Sequence, residues 1–244
     1  MIERKIHYCW FGNHDKDNLT KKCIESWKIN KDFEIIEWNE NNCNLEENEY
    51  LKQAKKKKKW AFVSDYFRLK ILYENGGIYL DTDVETRKKF SNEILQNKFF
   101  VGFEYDCVLS TAVIGCEKNN STIKNLLDTY KTMKLGEIYN NNHLFNNFFI
   151  GKYKDFKLNN KEQIFDNGNV HIYPKEYFTC PYKGQNGGYS IHYFAGSWIK
   201  KSKIKKFLIK FIKILIGQDR YLILARKRAV KKSNYYEKYL KDKE

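Results

Sequence analysis

Residues 64–85, SDYFRLKILYENGGIYLDTDVE, constrain the fold of this chain more than any other stretch. From Trp60 onward the apolar residues Phe62, Tyr66, Leu69, Leu72 and Tyr73 recur at helical spacing, so a helix turns one stripe toward a core. Gly76-Gly77 then supplies the stop, since glycine enters the left-handed backbone that ends helices without steric cost. Ile78-Tyr79-Leu80 follows as a short hydrophobic strand and runs directly into Asp81-Thr82-Asp83, with Glu85 close behind. Strands are depleted in Asp, and like charges on one face repel. A cation, a cationic neighbour or full exposure to water must offset that cost. Residues i and i+2 of a strand point the same way, so Asp81 and Asp83 share a face while Leu80 and Val84 enter the core. Two carboxylates at a strand's edge suit a hard divalent cation, Mg2+ or Mn2+. The plainer alternative is an exposed acidic turn closing a hairpin, and D-x-D alone does not separate the two.

The residues just upstream favour the cation. Asp65 and Arg68 stand three apart on one face of the predicted helix. Taken as a surface ion pair they contribute only about a few tenths of a kcal/mol. Arg68, however, lies in a segment of Phe, Leu, Ile and Tyr, where a guanidinium needs a partner. A phosphate or a sugar hydroxyl would serve, with Asp65 orienting the side chain.

Around this centre the sequence reads as one α/β domain. Residues 6–12, IHYCWFG, form a buried first strand closed by glycine, residues 18–29 a helix, and residues 33–38 a second strand. Strands are expected at 99–103 and 112–115, and a helix at 121–133. Residues 136–190 are rich in Asn and Tyr and show no clear period. At 244 residues with 42% hydrophobic and 16% aromatic content, the chain is globular rather than disordered. Its 6 cysteines are scattered without metal-ligand spacing and fall mostly in apolar runs. With no apolar leader ahead of Cys9, this fits a reduced, cytoplasmic protein.

Three separated blocks resemble glycosyltransferase family 32. The central run is similar to that family's S-D-x-x-R … G-G-x-Y-x-D-x-D pattern, which also resembles the catalytic core of the large clostridial glucosylating toxins. IHYCWFG is similar to its opening strand, and SIHYFAGSW, residues 190–198, to its closing H-x-x-x-x-S-W element. The blocks span residues 6–198; residues 136–190 and the tail carry no matching motif. The resemblance implies a GT-A fold, with a Rossmann-like nucleotide-binding half and a mixed central sheet. It implies a metal-dependent, retaining transfer of a hexose or N-acetylhexosamine from a nucleotide-sugar to a glycan acceptor, as in bacterial surface polysaccharide synthesis. A UDP-sugar is favoured over a GDP-sugar as donor. By the same resemblance Trp10 stacks near the base and ribose, although a buried core tryptophan is nearly as good a reading. Asp65 and Arg68 contact the donor sugar and its phosphate, Tyr79 lines the base or ribose pocket, and Asp81 touches ribose, sugar or metal-bound water. Asp83 ligates the metal directly, and His192 is the third ligand, a choice that suits Mn2+ better than Mg2+. Ser197 and Trp198 close over the diphosphate. No carboxylate stands out as a nucleophile. Asp106, Ser110 and Thr111 are candidates for the acceptor side.

Charge marks off the tail. Residues 201–244 hold 15 Lys/Arg against 4 Asp/Glu, while residues 1–200 are close to balance at 30 against 26. A domain boundary is therefore set near 200, with a basic helical extension behind it. In residues 204–215 apolar positions at i, i+3 and i+4 alternate with lysines, the pattern of a helix that lies on an anionic membrane or packs on its own domain. The lysine run at 55–59 reads as an exposed helical face. A nucleic-acid-binding protein is a weaker reading, because the basic excess sits in one tail and leaves the acidic-aromatic blocks unexplained. A metal-dependent phosphohydrolase lacks the further carboxylates it would need. An inactive sugar-nucleotide binder is disfavoured because every expected motif residue is present.

Overall fold

A computed structural model describes residues 1–137, 140–179, 188–196, 211–212 and 214–243. Nine strands and nine helices are used below, in chain order. The strands are β1 Lys5–Cys9, β2 Glu34–Trp38, β3 Gly77–Leu80, β4 Val84–Thr86, β5 Phe99–Tyr105, β6 Val108–Cys116, β7 Gln163–Phe165, β8 Val170–Tyr173 and β9 Ser190–His192. The helices are α1 Asn18–Ser26, α2 Glu49–Lys56, α3 Trp60–Asn75, α4 Asn92–Leu95, α5 Ser121–Asp128, α6 Asn141–Lys152, α7 Lys175–Phe178, α8 Gln218–Lys231 and α9 Tyr236–Lys243.

Seven strands form one mixed sheet in the order β2-β1-β3-β6-β5-β8-β7. β1 runs parallel to both β2 and β3. β6 then pairs antiparallel with β3 and with β5, and β8 runs parallel to β5. The small sheet β4-β9 stands apart and is antiparallel.

Alternation along the strands divides the interior in two. Tyr79, Phe99, Val101 and Phe103 face one cluster with the helical residues Val63, Phe67, Leu69, Leu72, Phe145 and Phe149. Ile78, Leu80 and Phe100 face the other, with Ile6, Trp27, Phe90 and Phe178. The main sheet is thus covered on both faces, as strands carrying near-continuous apolar runs require. Among the described cysteines, Cys9, Cys23, Cys43, Cys107 and Cys116 are free and buried, as their apolar settings predict; Cys180 lies outside the described residues.

Several sequence expectations shift in detail. The lysine run is not one helical face: α2 ends at Lys56, and Lys58 takes a left-handed φ of 52°. The helix expected at 121–133 is shorter, since α5 gives way to a 3-10 turn at Thr129–Lys131. Residues 136–190 contain α6, β7, β8 and α7, and the inward side of α6 carries Asn141 and Asn146 between its Leu and Phe residues. In the tail, Val230 and Tyr235 join the larger core cluster, and Tyr235 Oη donates to Asn147 Oδ1 at 2.8 Å. Residues 204–210 and position 213 lie outside the described residues, as do Ser197 and Trp198. No described helix is long and apolar enough to cross a membrane.

Candidate functional site

The site begins at the end of α3. Gly76 caps that helix, donating its N–H to the Leu72 carbonyl at 2.9 Å, with φ at 65°. Gly77 follows with φ at 95°, and a Cβ there would stand 2.8 Å from the Lys5 carbonyl oxygen. Only glycine makes this reversal, which lets β3 slot against β1 directly after the helix. β3 ends at Leu80, and the acids occupy a turn rather than the strand: Asp81 N–H bonds the Ala112 carbonyl at 2.9 Å, and Val84 N–H returns to the Asp81 carbonyl at 3.0 Å. The turn, not strand alternation, therefore brings Asp81 and Asp83 together.

Arg68 lies beneath Asp81. Its Nη2 is 3.1 Å from Asp65 Oδ1 and 3.1 Å from Asp81 Oδ1. Its Nη1 donates to the Thr111 carbonyl at 2.7 Å and to Thr111 Oγ1 at 3.1 Å, and the guanidinium covers the Tyr79 ring at 4.7 Å. The buried guanidinium thus has partners within the protein, rather than waiting for a phosphate. Burial opposes its charge, but Asp81, Tyr79 and Asp65 outweigh it and hold the group firmly protonated. Asp65 is pushed up to about 6, chiefly by burial, with Arg68 pulling down and Asp81 pushing up. Tyr79 is buried, and its hydroxyl donates to Asp81 Oδ1 at 3.2 Å, so it buttresses the acid from inside instead of lining an open pocket.

The third part comes from the far end of the chain. β9 pairs with β4 in a register that sets His192 opposite Val84. His192 Nε2 lies 3.2 Å from Asp83 Oδ1, and Ala195 N–H donates to Asp83 Oδ2 at 2.8 Å. That donation depends on Phe194 holding φ at 52°, a conformation a bulky residue rarely adopts. Burial lowers the affinity of His192 for a proton, but Asp83, Glu104 and Asp81 outweigh it and lift the imidazole to about 9. Burial raises the Asp83 carboxyl, and the facing imidazolium and the Ala195 N–H more than reverse it, leaving the group below its usual range. Lys22 and Tyr193 both bond Glu85, which ties β9 and β4 to α1.

Asp81, Asp83 and His192 each offer a ligand atom, and these atoms lie within 4.8 Å of one another. His192 Nδ1 is buried without a partner among the described residues. Two carboxylates and an imidazole are a donor set that fits a divalent cation of the Mn2+ type. A cavity of about 380 Å3 beside Tyr50, Tyr130 and Lys134 and one of about 230 Å3 beside Asn120 and Asp166 both lie away from this cluster. The convergence of charged groups, not a cavity, locates the site.

The remaining predicted residues sort clearly. Trp10 is half-buried just past β1, donating Nε1–H to the His14 carbonyl at 2.8 Å, with the His14 ring at 4.6 Å. Thr111 belongs to the Arg68 network. Asp106 is occupied by Lys175 at 2.5 Å, and Ser110 is buried, accepting from the Ala112 N–H at 3.3 Å. Neither of these two reaches the cluster. Glu104 and Asn142, absent from the sequence expectations, do: Asn142 Nδ2 donates to Glu104 Oε2, and Glu104 is close enough to His192, Asp81 and Asp83 to feel their charges. No local pattern marks them, because Glu104 meets the acidic turn only through pairing across β3, β6 and β5, and Asn142 only through the packing of α6.

An α/β mixed sheet with an Asp-x-Asp turn at the end of β3 is the GT-A arrangement that the sequence resemblance implied. Residues 17–100 match the model of the glycosyltransferase sugar-binding region containing a DXD motif. A 130-residue stretch is 31% identical to an uncharacterised glycosyltransferase of Acanthamoeba polyphaga mimivirus, covering 49% of this chain and 52% of that protein. The chain thus spans about half the length of this curated relative. Among solved structures, the PaToxG glycosyltransferase is similar at a TM-score of 0.50 and 22% identity, over 63% of this chain and 70% of the other, a likeness of fold. A glycosyltransferase involved in glycosylation of the major capsid of PBCV-1 aligns at a TM-score of 0.42 and 12% identity, over 78% and 94% of the two chains.

Proposed function

We propose that this chain is a metal-dependent, retaining glycosyltransferase that moves a hexose or N-acetylhexosamine from a nucleotide-sugar to a glycan hydroxyl. A UDP-sugar with Mn2+ is the preferred pair, and a lipid-linked oligosaccharide of a surface polysaccharide is the acceptor class. The observation that carries the reading is the convergence of Asp81, Asp83 and His192, with ligand atoms within 4.8 Å of one another. A bound divalent cation supplies Lewis-acid neutralisation of the departing nucleoside diphosphate. Arg68, fixed by Asp65 and Thr111, holds Asp81 in place and contributes positive charge beside the developing diphosphate. Trp10, just past the end of β1, is the residue we assign to the base side of the donor. With no protein nucleophile at the turn, the acceptor attacks the face that the diphosphate leaves, and a leaving phosphate oxygen takes its proton. Thermal shift and donor hydrolysis with a panel of UDP- and GDP-sugars, with and without Mn2+, test the reading. A Mn2+-dependent stabilisation and hydrolysis of one donor is the expected result. No response to any donor refutes it.

We propose further that the tail holds the enzyme peripherally at the inner face of the cytoplasmic membrane. Phe211, Ile212, Ile214 and Leu215 are exposed apolar side chains in a region rich in Lys and Arg, which suits an anionic bilayer. Replacing all four with Ser leaves Val230 and Tyr235 in the core, so this variant, rather than a truncation at 200, is the one to compare in flotation with phosphatidylserine vesicles. Equal flotation of both proteins removes the membrane from the proposal.

A further inference from the structure

We propose that Glu104 is the residue that receives the acceptor hydroxyl and aims it at the donor sugar. This rests on the glycosyltransferase reading above and deepens it. Sheet order gives the first reason. Trp10 follows β1 and Asp81 follows β3, while β6 and β5 continue the sheet away from the nucleotide side. Glu104, on β5, therefore stands beyond the acidic turn, on the side from which a second substrate approaches.

The backbone gives the second. The β5-β6 pairing loses register between Val101 and Gly102 and again between Phe103 and Tyr105, so Glu104 has no partner in the ladder. Such irregularities re-aim a side chain, and they gather beside active sites. Here the residue left out of the ladder is a carboxylate within electrostatic reach of His192, Asp81 and Asp83, bonded to Asn142. The next residue, Tyr105, stacks on Phe194 at 5.7 Å, and Phe194 also lies 4.2 Å from the His192 ring. The β5 end is thereby held under the segment that delivers His192.

The third reason is electrostatic. Glu104 Oε2 accepts from Asn142 Nδ2, while Asn142 Oδ1 accepts from Thr111 Oγ1 at 2.8 Å and from Thr111 N–H at 3.0 Å. Thr111 in turn accepts from Arg68. One rigid polar chain thus fixes Arg68 on the diphosphate side and Glu104 on the other. Of Glu104's three charged neighbours only His192 favours the negative charge, while Asp81 and Asp83 oppose it, and a glutamine would accept the same Asn142 bond without that repulsion. Oε1 takes no hydrogen bond from the described residues and is the atom left to accept from an incoming hydroxyl. Glu104 positions that hydroxyl and the leaving phosphate oxygen still takes the proton, so no covalent bond to Glu104 forms.

Water serves as the probe acceptor, because donor hydrolysis needs the same positioning. The experiment compares wild type with Glu104→Gln and Glu104→Asp, measuring hydrolysis of the UDP-sugar that wild type turns over, Mn2+·UDP binding by calorimetry, and Tm. Glu104→Gln is expected to lower kcat at least 30-fold with the Mn2+·UDP Kd and the donor KM within about twofold, and Glu104→Asp to recover part of kcat. Hydrolysis within threefold of wild type overturns the assignment. A Mn2+·UDP affinity that weakens in step with kcat also overturns it, by moving Glu104 to the metal. A wild type that neither binds Mn2+·UDP nor hydrolyses any donor is a different failure: it removes the glycosyltransferase reading, and this role falls with it.

Discussion

His7 should make this protein acid-sensitive in a defined window. The residue is fully buried on β1 and sits between two fixed partners. Trp38 Nε1 is 3.1 Å from His7 Nδ1, and His7 Nε2 is 3.0 Å from the Gly76 carbonyl oxygen. An indole N–H can only donate, so Nδ1 holds the lone pair and Nε2 carries the proton given to Gly76. A second proton on Nδ1 would expel the Trp38 bond. Burial accordingly lowers the imidazole from 6.5 to about 4, with the Gly76 carbonyl opposing and Lys5 assisting. Between those values the unfolded chain binds a proton that the native chain does not, so stability falls as pH falls. A displacement of this size corresponds to about 3 kcal/mol in all, of which about 2 kcal/mol is already lost at pH 5. The control is His7→Gln, whose amide can donate to Gly76 and accept from Trp38 but does not titrate. Urea unfolding followed by tryptophan fluorescence at pH 7.5, 6.0 and 5.0 gives the difference between the two proteins. It should narrow by about 2 kcal/mol from the first to the last. Parallel stability curves would refute the argument, since they would mean that His7 takes up its proton equally in both states.

Three further outcomes follow from the same geometry. Arg68→Met strands Asp65, Asp81 and the Thr111 carbonyl, so it should cost about 3–5 kcal/mol, roughly 10 °C in Tm, and a melting point within 2 °C or so of wild type would count against the network. Gly77→Ala forces a Cβ to 2.8 Å from the Lys5 carbonyl oxygen at a left-handed φ, and should destabilise by at least about 2 kcal/mol in urea titration. Asp83→Ala should weaken Mn2+ binding in calorimetry at least tenfold, and a variant that keeps full metal-dependent transfer would remove Asp83 from the ligand set.

What the sequence disclosed was the local part of the molecule. Asp65 and Arg68 are three apart on a helix, so their pairing follows from helical geometry alone. Gly76-Gly77 could be read as a helix stop because few residues other than glycine accept such backbone angles. The fold class and His192 were reached through separated motif blocks that no local period connects. The polar chain from Arg68 through Thr111 and Asn142 to Glu104 was hidden, since it depends on which strands become neighbours. α6 was hidden for another reason. Asn141 and Asn146 face inward there, where they bond the Asp65 carbonyl and the Leu109 N–H, and so they break the apolar rhythm that reveals a buried helix.

The union of β4 with β9 also dates the assembly of the site. The bond from Ala195 to Asp83 joins residues 112 positions apart in the chain. At about 5–20 residues per second, translation leaves the acidic turn without its histidine for roughly 6–20 s. During that interval helix α3 can already cap on Gly76 and present both aspartates, yet one side of the cluster stands open to water. The order of synthesis thus acts as a timer, keeping a nascent chain from bringing His192 to the two aspartates until the β9 segment has been made.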